Sequence, residues 1–154
     1  MKLYLVQHGE ALSDEVDPAR PLSDAGREAV RDMAAFLAAR PLVVARVAHS
    51  GKLRARQTAE ILAAALAPGR PMEPRAGLNP NDPPEDLARE LAKWNEDVMV
   101  VGHLPFMGRL AALLVSGEQH GDLVAYRPGS VVCLERGSGN GWTVAWMLRP
   151  ELLG

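Results

Sequence analysis

Hydrophobic and polar positions along this chain change period several times, and each change marks an element. Leu3 to Val6 form a continuous apolar run inside Lys2–Gln7, which predicts a strand buried on both faces of a parallel sheet. A polar loop follows through Pro21. Val30, Met33, Ala34 and Leu37 then recur at helical spacing, and Ser23 stands where it can cap that helix. Pro41 stops it. Leu42–His49 predicts a second strand. Ser50 is expected to cap the next helix, striped by Leu62, Ala65 and Leu66.

The stretch "APGRPMEPRAGLNPNDPPED" is rich in Pro, Gly and Asn and predicts a loop, with a short strand near Met72. Leu87, Leu91 and Trp94 mark a third helix, and Asp97–Gly102 a short buried strand. Pro105 suits the first turn of a fourth helix, striped by Phe106, Leu110, Leu113 and Leu114. Val131–Arg136 and Trp142–Leu148 flank "GSGNG" and predict a terminal hairpin. Alternating strands and helices imply an α/β domain with a mainly parallel sheet, to which the hairpin adds an antiparallel edge.

Composition narrows the function classes. A length of 154 residues suits a single domain, 1–154, and 47% apolar residues suffice for one sizeable core. A net charge of −2 gives no basic surface for nucleic acid. No apolar run reaches the ~18 residues that cross a membrane. Charge returns by Glu10, too early for a signal peptide, and Cys133 is the only cysteine. A cytoplasmic protein is expected, with no partner among nucleic acids or membranes. Cys133 lies within a strand and reads as core.

Chemistry concentrates at three strand ends. In open α/β sheets ligands gather beyond the carboxyl ends of strands. One predicted strand runs into His8, a second ends at His49 and Ser50, and a third at Gly102 and His103. Gly9 is expected to permit a tight turn beside His8. Arg54, Gln57 and Thr58 fall along one face of the second helix, with Arg54 near the helix start, where anions are favoured. Each feature also has a plain structural reading: a strand-end histidine held by hydrogen bonds, a solvated arginine, and loop carboxylates at Glu10 and Asp14. "GSGNG" joins two strands rather than opening a helix, so it reads as a turn and not a dinucleotide fingerprint.

Together "VQHGEA", "HSGKLRARQTA" and "VVGHLPFMG" resemble the histidine phosphatase superfamily. That family shows Arg-His-Gly after its first strand, a Ser-x-x-x-Arg-x-x-Gln-Thr segment, and a later histidine after a buried strand. Ser50, Arg54, Gln57 and Thr58 match the second element, and His103 with Leu104, Pro105 and Gly108 the third. "ARPLSDAGR", spanning Ala19–Arg27, and the short chain look most like the SixA-type phosphohistidine phosphatases. Longer members carry an inserted catalytic acid, for which this chain has no room.

The resemblance implies a three-layer α/β/α sandwich, phosphoglycerate mutase-like, with a mainly parallel central sheet and an antiparallel edge strand. It implies a phosphatase that needs no metal or other cofactor and acts through a phosphohistidine on His8. His8, Arg54 and His103 would be catalytic, and Gln7, Gly9, Arg20 and Ser50 would bind substrate. His8 would need its other ring nitrogen held by a backbone carbonyl near Gly9, and His103 would contribute most when protonated. The partner would be a phosphorylated substrate, first of all a phosphohistidine protein. Glu10, Asp82 and Glu85 are the available carboxylates for a general acid. Gln7 departs from the family pattern, because an amide carries no charge where the family has arginine. Three alternatives stay open: a phosphatase of small phosphoesters, a phospho-binding protein without turnover, and a metal hydrolase built on His8, His49 and His103.

Overall fold

A computed structural model describes residues 1–120, 123–139 and 141–153. Six strands form one sheet in the order β3-β2-β4-β1-β5-β6. In chain order the elements are β1 (Lys2–Gln7), α1 (Asp24–Ala38), β2 (Arg46–His49), α2 (Leu53–Leu66), β3 (Met72–Pro74), α3 (Pro84–Leu91), β4 (Val98–Gly102), α4 (Phe106–Ser116), β5 (Val131–Arg136) and β6 (Trp142–Leu148). β3, β2, β4 and β1 are parallel neighbours, and β5 and β6 add antiparallel strands beside β1. The hairpin thus supplies two antiparallel strands. Its turn contains Asn140, which lies outside the described residues.

Side-chain alternation along β1 explains the layers. Tyr4 and Val6 pack with Val30, Met33 and Leu37 of α1 and Leu62 of α2. Leu3 and Leu5 pack on the other face with Leu87 and Leu91 of α3 and Phe106 and Leu110 of α4. Helices therefore cover both faces of β1, as its unbroken apolar run requires.

Local signals set most element ends. Ser23 caps α1, its side chain accepting from the Gly26 N–H at 3.0 Å. Such a cap contributes roughly 1 kcal/mol. α2 departs from expectation: Lys52, not Ser50, occupies the cap position and no side chain caps the helix. On the same helix Ala65 is exposed, and Ala63 is buried with Leu62 and Leu66. α4 buries Met107, Ala111 and Ala112 with Phe106 and Leu110, leaving Leu113 and Leu114 only half-buried. β2 is shorter than its apolar run, because Leu42–Ala45 lie outside the ladder. Trp94 falls beyond the end of α3 and stacks near the guanidinium groups of Arg46 and Arg75.

Candidate active site

The site forms where β1, β4 and β2 end side by side. Gln7 pairs with Gly102 as the last step of the β1–β4 ladder, so His8 and His103 follow on adjacent strands. His8 remains tied to β4 through its N–H, which donates to the Gly102 carbonyl at 2.9 Å. The two imidazole rings lie 4.9 Å apart, tilted by 55°.

His8 Nδ1 lies 2.7 Å from the Gly9 carbonyl oxygen. A carbonyl only accepts, so Nδ1 carries the proton and Nε2 keeps a free lone pair. The carbonyl expected near Gly9 is therefore present. Burial first, and then the charges of Arg54 and Arg20, push His8 down to about 4, against its hydrogen bond to Gly9. The ring is neutral at physiological pH and able to act as a nucleophile.

α2 holds this arrangement from one side. Thr58, fully buried, accepts from the Gly9 N–H at 3.0 Å and donates to the Arg54 carbonyl at 2.8 Å. Gln57 Oε1 accepts from the Leu22 N–H at 2.8 Å, fixing the loop that carries Arg20. Helical spacing in the sequence grouped Arg54, Gln57 and Thr58 but gave no role to the last two. Their partners lie in other segments, out of reach of local pattern.

Gly9 does a different job from the expected one. Its φ is not in the left-handed region. A Cβ there would instead sit 2.7 Å from Val30 Cγ2 of α1. Its N–H is taken by Thr58 and its carbonyl by His8. Gly9 thus packs against α1 and positions His8, with its N–H and carbonyl both engaged within the protein. Arg20 does lie in the left-handed region, with φ +50. Its N–H donates to the Asp17 carbonyl and its Nε–H to the Leu12 carbonyl, at 2.9 and 3.0 Å.

His103 is buried, and Ser50 Oγ approaches its Nε2 to 2.6 Å. Ser50 is thereby a partner of His103, and Lys52 takes the cap position expected of it. Burial, followed by the nearby His8, Arg54, Lys52 and Arg20, pushes His103 down to about 3. Without a bound anion His103 is neutral at physiological pH. Lys52 is a member of this charged group that motif reading missed. Its signal was there, two residues before Arg54 at the start of α2.

Three polar atoms of the region are buried without a partner among the described residues: Gln7 Oε1, Arg54 Nε and His103 Nδ1. Gln7 is the last paired residue of β1, and the chain has left the ladder at His8. Two clefts lie beside residues that neighbour the site. One of about 550 Å³ is lined by Glu10, Gly26 and Arg127. Another of about 370 Å³ lies beside Leu104, Pro105 and Arg109.

His49 does not join the other two histidines. It is buried within the ladder, its Nδ1 accepts from the Gly51 N–H at 3.1 Å, and its charged neighbours are Arg56 and Glu60 of α2. The described residues contain no group of three or more His, Cys, Asp or Glu side chains placed to hold a metal ion. The three-histidine metal site is thus overturned by geometry. The candidate acids are engaged elsewhere: Glu10 accepts from Ser23 Oγ at 2.8 Å, Asp82 from the Asn79 N–H at 2.9 Å, and Glu85 from Gln119.

Comparison with known proteins agrees with this geometry. The chain is 33% identical to the phosphohistidine phosphatase SixA of Escherichia coli, over 97% of this chain and 94% of that protein. The solved structure of the protein histidine phosphatase SixA complexed with tungstate superposes with a TM-score of 0.88 at 26% identity, over 100% of both chains. The α-ribazole phosphatase of Shigella flexneri shares the fold, with a TM-score of 0.81 at 15% identity over 97% of each chain. Residues 3–81, which carry His8, Arg20, Ser50 and Arg54, match the histidine phosphatase superfamily, branch 1, and the chain belongs to that superfamily.

Proposed function

We propose that this phosphatase removes the phosphoryl group from phosphohistidine in protein, through a covalent intermediate on His8. His8 Nε2 attacks phosphorus as the bond to the substrate imidazole breaks. Water then attacks phosphorus, the bond to His8 breaks, and inorganic phosphate leaves. One displacement at an unreactive centre becomes two easier ones. Arg54 and Arg20 supply positive charge to the three equatorial oxygens of the transferring group. Burial first, and then Arg20, disfavours the charge on Arg54, and an anion between the two arginines relieves their repulsion. A guanidinium suits the task because its planar fork gives two parallel hydrogen bonds to phosphate.

The observation that carries this reading is His8 itself: neutral, Nδ1 held by Gly9, and beside His103 within reach of two arginine charges. Support for phosphohistidine as substrate comes from the likeness to SixA and from the engaged carboxylates. An alkoxide needs an acid to protonate it as it leaves, whereas a protonated phosphoimidazole releases a neutral ring. Buried, unpaired Cys133 fits a reducing, cytoplasmic setting, and no helix among the described residues is long and apolar enough to cross a membrane.

The test is hydrolysis of a phosphohistidine peptide beside p-nitrophenyl phosphate and a sugar phosphate. A higher kcat/KM on the peptide, with acid-labile phosphate trapped on the enzyme, is the expected result. Preference for the sugar phosphate would favour a metabolite phosphatase. Tight peptide binding without turnover would favour the phospho-binding reading.

A further inference from the structure

We propose that Ser50 is a positioning residue that fixes the tautomer of His103, so that His103 donates to the phosphoryl group from Nδ1–H while remaining neutral. The inference rests on the phosphatase reading above for its functional half, but its structural half stands on hydrogen-bond accounting.

A hydroxyl has one proton to donate and two lone pairs to accept with. Ser50 Oγ has two partners among the described residues: the Lys52 N–H at 3.3 Å and His103 Nε2 at 2.6 Å. The Lys52 N–H can only donate, so it occupies a lone pair. Among the described residues the Ser50 proton then has one acceptor, His103 Nε2. A neutral imidazole that accepts at Nε2 must carry its proton at Nδ1. The opposite tautomer would send Nε2–H into Ser50 and leave the Ser50 proton with no acceptor among the described residues. It would also leave Nδ1, which is buried and has no partner among the described residues, as a bare lone pair. Phosphoryl oxygens are acceptors too, so that tautomer would repel the group His103 is meant to hold.

Charge makes the neutral donor useful. His8, Arg54, Lys52 and Arg20 all disfavour a proton on His103. An imidazolium would have to form against those groups, whereas an Nδ1–H set by Ser50 is in place before substrate arrives. Both histidines then hold the same tautomer for opposite ends. His8 gives its Nδ1–H to Gly9 and keeps Nε2 bare to attack. His103 turns Nε2 to Ser50 and keeps Nδ1–H to donate.

The experiment is nitrogen-15 NMR of ring-labelled histidine at neutral pH, with and without inorganic phosphate, on the natural protein, Ser50→Ala and Ser50→Thr. His103 signals are assigned by their loss in His103→Gln. The natural protein and Ser50→Thr should show the Nδ1–H pattern, and Ser50→Ala should shift toward Nε2–H. In parallel, Ser50→Ala should lose roughly 10- to 100-fold in kcat/KM on the phosphohistidine peptide, with Ser50→Thr restoring most of it. An Nε2–H pattern in the natural protein would overturn the proposal, as would an Nδ1–H pattern unchanged in Ser50→Ala. Expected spectra in a protein without turnover would support the tautomer assignment and count against the phosphatase reading instead.

Discussion

β1 and β2 both run into a histidine, but at different heights relative to the rim of the sheet. Gln7 is the last paired residue of β1, so His8 stands one residue beyond the ladder. His49 is still inside it, opposite Val101 on one side and Pro74 on the other. Two residues of register against β4 separate a ring whose Nε2 is free from a ring packed against α2. At the end of β2 the site takes its contribution from the next residue, Ser50, which reaches His103. A strand-end histidine is a candidate nucleophile only where the neighbouring strands end level with it.

Removing each ring in turn tests that comparison most strongly. His8→Ala should abolish both turnover and the acid-labile, base-stable phosphate label on the protein. His49→Ala should keep the label, with kcat/KM within about threefold of the natural protein. Label persisting in His8→Ala, or vanishing in His49→Ala, would reverse the roles assigned to the two strand ends.

A smaller effect concerns the residue before each ring. Ala48 precedes His49 with nothing to offer a ligand, whereas Gln7 brings an amide whose Oε1 has no partner among the described residues. Restoring a cation by Gln7→Arg should raise kcat/KM by up to about tenfold, equivalent to ~1.4 kcal/mol of transition-state stabilisation. Arg20→Ala should then cost the natural protein more than it costs Gln7→Arg, since the two cations share one task. Strictly additive effects in the four-member cycle would show that Arg20 does not compensate for Gln7.

The smallest effect is on stability against pH. His8 and His103 are held at about 4 and about 3 in the fold, below the ordinary 6.5. As pH falls below that value the unfolded chain takes up protons that the folded chain refuses. Stability from these sites is therefore undiminished above pH ~6.5 and is lost progressively toward pH ~3–4. Thermal unfolding midpoints should decline over that range, and His8→Gln should flatten the decline. His49→Gln should flatten it less, because Glu60 opposes the lowering at His49. Equal slopes in the two variants would mean that the two rings are buried at similar cost.

Much of this molecule was legible before its structure. β1, β5 and β6 match their expected limits residue for residue, because a continuous apolar run or a hairpin is a local pattern. The Ser23 cap was legible for the same reason. Ser50 was misread because a serine ahead of a helix is ambiguous by itself. Its role depends on His103, 53 residues away. The expected turn at Gly9 failed similarly, since the constraint is the approach of Val30 on α1 and not the local φ.

The sequence by itself determined the alternation of elements, the order of the motifs and the residue types gathered at the strand ends. Those follow from periodicity and from side-chain chemistry, which act over a few residues. The tertiary structure alone decided which histidines meet, which nitrogen of His8 stays free, and that Thr58 meets Gly9 and Ser50 meets His103. Thr58 and Gly9 are 49 residues apart in the chain, yet they lie 3.0 Å apart in the fold. Strand register and helix packing set such contacts, and no short-range pattern encodes the height at which two strands end.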